Sequence, residues 1–366
     1  MAGTAKIPII DISAEGADEA KVAQELVDAA VEYGFIYIKN TGRDIPAEQI
    51  DHIFDLSRTL FGSELEEKQR CKIEKNNQGW SGMHTETLDP KTQRVGDFKE
   101  AFNFGPFENG KATQPIPSSL EPHQAALAAF RSACHDLCQR LLQLFGIGLG
   151  VNPPSFFSTA HAPHLPSGSI LRLLYYPPPS STPSLQSTDV RAGAHSDYGS
   201  ITLLFRLRGQ AGLEILNPVP SSSSWSPVPV TPPGTEHDPA PPILVNIGDL
   251  LSYWTNGLLR STVHRVSSST ATGAAENGES TTDPRYSVVY FCHPANETPL
   301  TPVPSARVAA YNSKTHADAV AGDSNDGGAA SQQRKVLTAA EHLQTRLQAT
   351  YLQMYADGSD EKEEKK

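Results

Sequence analysis

The chain has 366 residues, with 30 Lys and Arg against 41 Asp and Glu for a formal charge of −11, and 29 Pro beside 27 Gly. A chain this long can bury a large core without disulfide staples, which excludes small-scaffold readings. Its acidic balance offers no global positive field to hold a phosphate backbone, so nucleic acid is not an expected partner.

At the amino end, MAGTAKIPIIDIS lacks a basic segment followed by an apolar stretch and does not read as a secretory signal. The longest apolar runs, such as Ile201 to Phe205 and Ile243 to Ile247, fall far short of the ~20 residues of a membrane-spanning helix. No membrane partner is expected. Cys71, Cys134, Cys138 and Cys292 show no zinc-type pairing and fit free thiols in a reducing compartment, so the expected location is cytoplasmic.

Residues 19 to 33 carry apolar groups at helical spacing and stop at Gly34, and Phe35 to Ile38 then read as a strand. A second helix is predicted from near Pro46 to Leu60, with a charged continuation from Glu64 to Arg70. A third runs from about Glu121 to Phe145, where Gly146, Gly148 and Gly150 are expected to break it. From about residue 168 short β-branched and aromatic runs alternate with Pro, Gly and Ser. The predicted strands are Ile170 to Tyr175, Gly193 to Asp197, Ser200 to Arg206, Leu213 to Leu216, Ile243 to Ile247, Leu250 to Trp254, Ser261 to Val266 and Arg285 to Phe291. Gly248-Asp249 and Asn256-Gly257 are expected to turn hairpins. Short strands in this number suit an α+β chain with a jelly-roll (double-stranded β-helix) core and flanking helices, mainly N-terminal.

Pro177 to Asp189, Pro218 to Pro242 and Ser267 to Asp283 are rich in Ser, Thr, Pro, Gly or Ala and read as surface insertions. Ala321 to Gln333 and the terminal DGSDEKEEKK look equally loose, with a helix around Ala339 to Tyr355 between them. The chain thus divides into an N-terminal helical and strand region (1–165), a jelly-roll core (166–300) and a C-terminal helix with a loose insert and charged tail (301–366).

The chemistry concentrates in GAHSDYGSITLLF, where His195 and Asp197 lie two apart and a strand would send both side chains to one face. His264 follows on another predicted strand, 67 residues after Asp197. Two imidazoles and one carboxylate on one face of a metal form the set used for non-haem Fe(II) that must bind a co-substrate and O2 together. Arg285 and Ser287, again two apart, can present a guanidinium fork and a hydroxyl suited to a carboxylate.

Several other features have bland readings. Cys134 and Cys138, one helical turn apart, read as buried thiols. His161 and His164 lie in a Pro-containing loop and are expected at the surface, His293 stands at a pocket mouth or in solvent, and Trp80 and Met83 sit in a loop against the core.

The segments PIIDIS, GFIYIKNTG, DFKEAFNFG (Asp97 to Gly105), LRLLYYPP, AHSDYGSITLLF, GLEI, VNIGDLLSYWTNG, STVHRV and RYSVVYF occur in the order of a known family, over roughly residues 7 to 300. On them the chain resembles the Fe(II)/2-oxoglutarate-dependent dioxygenases of the isopenicillin N synthase-like family. The resemblance implies that His195, Asp197 and His264 bind iron, that Arg285 and Ser287 hold the distal carboxylate of 2-oxoglutarate, and that Tyr176 touches the same group. It implies no catalytic side chain beyond the metal site, with Fe(II), 2-oxoglutarate, O2 and ascorbate as a reductant. The implied reaction is oxidation, foremost hydroxylation, of a small organic molecule with decarboxylation of the keto acid to succinate and CO2. Leu174 stands where plant relatives often carry Asn, and the 21-residue spacing from His264 to Arg285 is about twice the family's usual one. A loop insertion between strands preserves both strand faces.

Among fungal-type members the chain is similar to thymine hydroxylase, in which aromatic rings sandwich a flat pyrimidine. Tyr198 and Phe291 stand at the corresponding places and Arg172 is positioned to donate to a carbonyl, which points to a planar heterocycle or a secondary metabolite. Two alternatives remain at this stage: an iron oxidase of the same fold that does not use 2-oxoglutarate, and a catalytically silent jelly-roll binding protein.

Overall fold

The structure is a computed structural model that describes residues 4–178, 181–182, 190–217, 224–267, 283–311 and 336–350. Of the stretches expected to be loose, 183–189, 218–223, 268–282, Ala321 to Gln333 and the terminal 357–366 lie outside the described residues, as does the end of the helix expected to reach Tyr355.

Two sheets face each other. Strands of the larger are β1 (Ile9–Ile10), β2 (Phe35–Ile38), β3 (Gly79–Ser81), β4 (Glu100–Phe104), β7 (Ile170–Tyr176), β9 (Ile201–Arg206), β12 (Ile243–Ile247) and β14 (Arg285–Cys292). Those of the smaller are β8 (Val190–His195), β10 (Leu213–Leu216), β11 (Trp225–Pro227) and β13 (His264–Ser267). The first runs in the order β1-β2-β12-β9-β14-β7-β4-β3 and the second in the order β11-β10-β13-β8. A small hairpin, β5 (Phe107–Glu108) and β6 (Lys111–Ala112), stands apart. Strands from residues 9 to 104 therefore extend the same sheet as the later core.

Period-two alternation divides each central strand between two environments. On β7, Leu171 and Leu173 join the core formed with the helices, whereas Leu174 and Tyr176 belong to a cluster between the sheets. On β14, Val288, Tyr290 and Cys292 face the helices and Val289 faces the inter-sheet space. The helical layer is α1 (Glu19–Glu32), α2 (Ala47–Phe61), α3 (Leu65–Arg70) and the long α4 (Gln124–Gly148), with the short α5 (Phe156–Ala160) beside it. Asp18 caps α1 by accepting from the N–H groups of Ala20 and Lys21, and Gly34, at φ 68°, lets the chain turn into β2. No helix among the described residues is long and apolar enough to cross a membrane.

Three expectations are corrected. Leu250 to Trp254 is not a strand but the helix α6 (Asp249–Trp254). Its first N–H groups are taken by the segment after β8: Asp249 N–H donates to the Asp197 carbonyl at 2.7 Å and Leu250 N–H to that of Gly199 at 3.1 Å. With those donors satisfied, Leu250, Leu251 and Trp254 bury together against the helical layer. Secondly, α4 continues through Gly146 and Gly148, where the missing side chains admit a neighbour rather than end the helix. A Cβ at 146 would lie 1.9 Å from the Pro154 carbonyl oxygen and one at 148 would lie 2.3 Å from that of Ala23. Thirdly, residues 224–242 are not a loose insertion. They form β11 and bury Val228, Val230 and Ala240, while Arg206 donates to the carbonyls of Val228 and Pro229 at 2.9 Å each. Arg206, buried on the main sheet, thereby satisfies two carbonyls just past the end of the β10–β11 ladder.

Beyond the core, α7 (Ala306–Ala310) and α8 (Ala339–Thr350) follow among the described residues, and Leu343, Leu347 and Thr350 of α8 line the inter-sheet cavity.

Candidate metal centre

His195 ends β8 and His264 begins β13, and the two are register partners across that pair. Their ring centres are 4.3 Å apart at an interplanar angle of 54°. Each Nδ1 lies against a backbone carbonyl, His195 at 2.8 Å from Gly193 and His264 at 3.1 Å from Thr262. With Nδ1–H donating there, Nε2 keeps its lone pair for a metal.

Asp197 lies just past the end of β8, so its approach to His195 does not come from strand alternation. The tie from Asp249 N–H to the Asp197 carbonyl holds the turn, and the carboxylate is oriented by its neighbours. Oδ2 accepts from Thr202 Oγ1 and Asn246 Nδ2, both at 2.7 Å, which leaves Oδ1 at 3.8 Å from His195 Nε2 and 3.6 Å from His264 Nε2. Ligand atoms of all three residues lie within 4.8 Å of one another, so the group could hold a metal ion. Burial, and next His264, lower the His195 pKa to about 4, which keeps the ring neutral and able to ligate. Burial alone would raise the Asp197 carboxyl, but the two imidazoles and the hydrogen bonds from Asn246 and Thr202 hold it below the ordinary carboxylate value.

The three groups line a cavity between the sheets. At one end, Arg285 and Tyr176 are register partners on β14 and β7, with the guanidinium 4.9 Å from the centre of the Tyr176 ring. Ser287 faces Leu174 two residues further along β14, and Ser287 Oγ is buried with no hydrogen-bond partner. A buried hydroxyl left in that state is costly in water-free surroundings, so a polar ligand there is favoured. Leu204, Leu213, Val266 and Val289 make the remaining wall apolar.

At the other end Arg172, Tyr198 and Phe291 all line the cavity. Sequence reading missed their company. Arg172 is ion-paired with Glu86, which also meets Lys99 at 3.0 Å, and Lys99 contacts Asp97. Lys99 was visible only as part of the DFKEAFNFG segment, and nothing in the local pattern marks Glu86, which reaches the site from the loop between β3 and β4. Leu343, Leu347 and Thr350 of α8 form the outer wall, and Tyr198 and Thr350 hydrogen-bond through their hydroxyls. Arg346 pairs with the buried carboxylate of Asp249, which also accepts from Ser196 Oγ at 3.0 Å.

His164 is exposed as expected, but His161 is not at the surface. It is 1% exposed, with Nδ1 against the Phe157 carbonyl at 2.7 Å and Nε2 against Ser200 Oγ at 2.9 Å, so one short helix and one strand start consume both ring nitrogens. His293 is buried as well and lines the cavity. Trp80 sits on β3 and donates to Glu100 Oε2 at 2.9 Å. Cys134 and Cys138 are buried free thiols.

Comparison with known proteins agrees with this geometry. Residues 7–126 match the model of the non-haem dioxygenase in morphine synthesis N-terminal family, and residues 167–294 that of the 2OG-Fe(II) oxygenase superfamily. The chain is 39% identical to the UPF0676 protein of Schizosaccharomyces pombe over 82% of its own length and 86% of the relative. It is 31% identical to a 2-oxoglutarate-dependent dioxygenase of Aspergillus rugulosus over 79% of its length and 86% of that protein. Its fold is similar to the full-length thymine hydroxylase of Neurospora crassa, crystallised with α-ketoglutarate and thymine (TM-score 0.71, 26% identity, 94% and 96% coverage). These relatives do not favour an oxidase that dispenses with 2-oxoglutarate.

Proposed function

The chain belongs to the 2OG-Fe(II) oxygenase superfamily and is a 2-oxoglutarate-dependent dioxygenase with Fe(II) as its metal. From that premise we propose that it binds iron through His195, Asp197 and His264, anchors 2-oxoglutarate at Arg285, Ser287 and Tyr176, and oxidises a small planar molecule held near Tyr198, Phe291 and Arg172. The observation that carries the reading is the convergence of His195 Nε2, His264 Nε2 and Asp197 Oδ1 at one end of a cavity whose other wall carries a buried, unpartnered hydroxyl beside a guanidinium. Two neutral imidazoles and one carboxylate suit Fe(II) and leave half its coordination positions open. The metal and keto acid, when bound, supply the activation of O2.

The chain's own residues do the positioning. Thr202 and Asn246 lock one oxygen of Asp197 and aim the other at the metal position, so the carboxylate cannot swing to chelate it with both. Arg285 supplies a charge-assisted fork to a carboxylate and Ser287 Oγ adds one hydrogen bond. The apolar wall of Leu204, Leu213, Val266 and Val289 excludes water from the keto acid's methylenes. Arg285 lies along β14 from Phe291 by six residues, about 20 Å of strand, which separates the anchor from the substrate end.

A planar substrate is supported by the ring of Tyr198 beside Asp197, by Phe291 on the cavity face of β14, and by the complex of the Neurospora crassa hydroxylase with thymine. The proposed division is an N-terminal helical and strand region (1–165), the oxygenase core (166–300) and a C-terminal region (301–366), of which α8 is the part that lines the cavity.

The test is succinate release with Fe(II), O2, 2-oxoglutarate and a panel of ring substrates, with mass spectrometry of the product for one added oxygen. Metal-loaded protein that binds no 2-oxoglutarate would sink the assignment.

A further inference from the structure

One wall of the cavity is a two-strand ladder. Alternate residues of β14, from Arg285 to Phe291, line it beside alternate residues of β7, from Ile170 to Tyr176. The same alternation carries past the strand ends to His293 and Gly168. A Cβ at 168 would stand 3.4 Å from His293 Cγ and 2.3 Å from Leu343 Cδ2, and one at 199 would stand 2.9 Å from His293 Nε2. Two glycines therefore make the room in which this ring sits beside α8. Ser169 Oγ fixes the backbone of His293, accepting from its N–H at 2.9 Å and donating to its carbonyl at 3.2 Å.

Other polar groups of this end are engaged. Tyr198 and Thr350 hydrogen-bond to each other, Ser196 donates to Asp249, and Arg172 and Lys99 are ion-paired with Glu86. His293 is 5% exposed, and its ring has no hydrogen-bond partner among the described residues. Burial, then His342 and His161, hold the ring neutral. A buried polar group turned into a cavity in this state is costly until a ligand supplies the missing bond. A neutral imidazole offers one donor and one acceptor nitrogen, and a hydroxyl, which both gives and takes a hydrogen bond, suits either tautomer. A carboxylate would have to shed its water for an uncharged ring, which is unfavourable.

Position sets size. His293 lies two residues beyond Phe291, roughly 7 Å along an extended chain, so it stands about one ring's length past a ring stacked on Phe291. A one-ring molecule on Phe291 leaves the imidazole unpaired. Ile170, Leu343 and Leu347 give this end an apolar wall, and Tyr198 packs with the two leucines.

Resting on the oxygenase reading above, we propose that His293 is a specificity-determining residue at the far end of the substrate site, and that the site takes a two-ring molecule whose outer ring carries a neutral hydroxyl. The imidazole holds that hydroxyl and takes no part in oxygen chemistry.

The test uses full-length protein loaded with Mn(II) and 2-oxoglutarate without O2, and equilibrium dialysis against 2-naphthol, naphthalene, phenol and 2-naphthoate. 2-Naphthol should bind at least about tenfold more tightly than phenol, which lacks the second ring. It should bind at least about fivefold more tightly than naphthalene, which leaves the imidazole unpaired, and at least about tenfold more tightly than 2-naphthoate. His293→Leu should bring the 2-naphthol-to-naphthalene ratio down to about one, and His293→Gln, which keeps a donor and an acceptor, should restore a preference for 2-naphthol. Equal binding of phenol and 2-naphthol to the unaltered protein overturns the proposal, and so does an unchanged ratio in a His293→Leu protein that still binds 2-oxoglutarate. Should both variants fail to fold, the unaltered protein's ranking of the four probes decides. If 2-oxoglutarate binds but neither neutral two-ring probe does, this inference fails and the oxygenase reading stands. If 2-oxoglutarate itself does not bind, both fail together.

Discussion

Asp249 and Ser196 are joined by a 3.0 Å hydrogen bond that connects the start of α6 to the residue between two of the proposed metal ligands. The same carboxylate accepts from Ser261 Oγ at 2.7 Å and from Arg346 of α8, so one buried anion ties the ligand turn, the approach to His264 and the C-terminal cover. Positions of the metal and of the cavity's outer wall are thereby mechanically linked.

Removing Arg346 tests that link. Arg346→Met should loosen α8, raise substrate KM several-fold and leave 2-oxoglutarate affinity unchanged, because the Arg285 end is untouched. The cost in stability should be about 1 kcal/mol, below that of a fully buried charge-assisted bond, since Arg346 is partly exposed. Steady-state kinetics with each substrate varied would decide, and a matching rise in the 2-oxoglutarate KM would refute the separation.

At the metal centre, His264→Ala should abolish stoichiometric iron while the fold survives, because a small residue at the start of β13 keeps the backbone pairing. Asn246→Ala, which frees Asp197 Oδ2 without touching a ligand, should weaken metal affinity by about 10- to 100-fold. Metal analysis after dialysis against a graded chelator distinguishes the two.

Ser287→Ala and Arg285→Gln probe the keto-acid anchor. Loss of one hydrogen bond to a charged group costs about 1.5–3 kcal/mol, or roughly 10- to 150-fold in 2-oxoglutarate affinity for the serine variant. Arg285→Gln should cost more. Ser287→Ala removes a buried hydroxyl that lacks a protein partner, so the apo protein should be no less stable, and melting temperature without ligand checks this.

Gly248→Ala separates a turn glycine from a packing glycine. Its φ is −93°, so alanine meets no backbone strain, but a Cβ would stand 2.2 Å from the Gly199 carbonyl oxygen. Overpacking against backbone should cost about 1–3 kcal/mol and displace the Asp197 turn, lowering iron content together with stability. Retained iron at full stability would contradict the close approach.

His293 gives a pH signature. Burial, then the nearby His342 and His161, depress its pKa to about 3. The unfolded chain binds that proton near the ordinary value of about 6.5, so this contribution to stability is complete above that pH and is lost progressively as pH falls from about 6.5 towards 3. His293→Asn should flatten the melting-temperature curve across that window. A parallel curve of unchanged slope would exclude the effect.

The amino-acid order alone placed several of the core strands, whereas the two ligand strands, expected at Gly193 to Asp197 and Ser261 to Val266, are Val190–His195 and His264–Ser267. Leu213–Leu216 and Ile243–Ile247 coincide with their predicted bounds, and Arg285–Cys292 differs by one residue. Such runs are legible because period-two burial and β-branched composition are local properties. Arg285 and Ser287 share the cavity wall for the same local reason. Tertiary structure decided the rest. Leu250 to Trp254 became a helix because its orphan N–H groups met the Asp197–Gly199 carbonyls, contacts made across some 50 residues of chain. Asp197 reached the histidines from beyond its strand, held by Thr202 and Asn246, and Glu86 found Lys99 and Arg172 only when a loop, β4's approach and β7 were brought together. Long-range hydrogen bonds and ion pairs of this kind leave no periodic trace in the sequence, because the energy that selects them exists only once the partners are folded against each other.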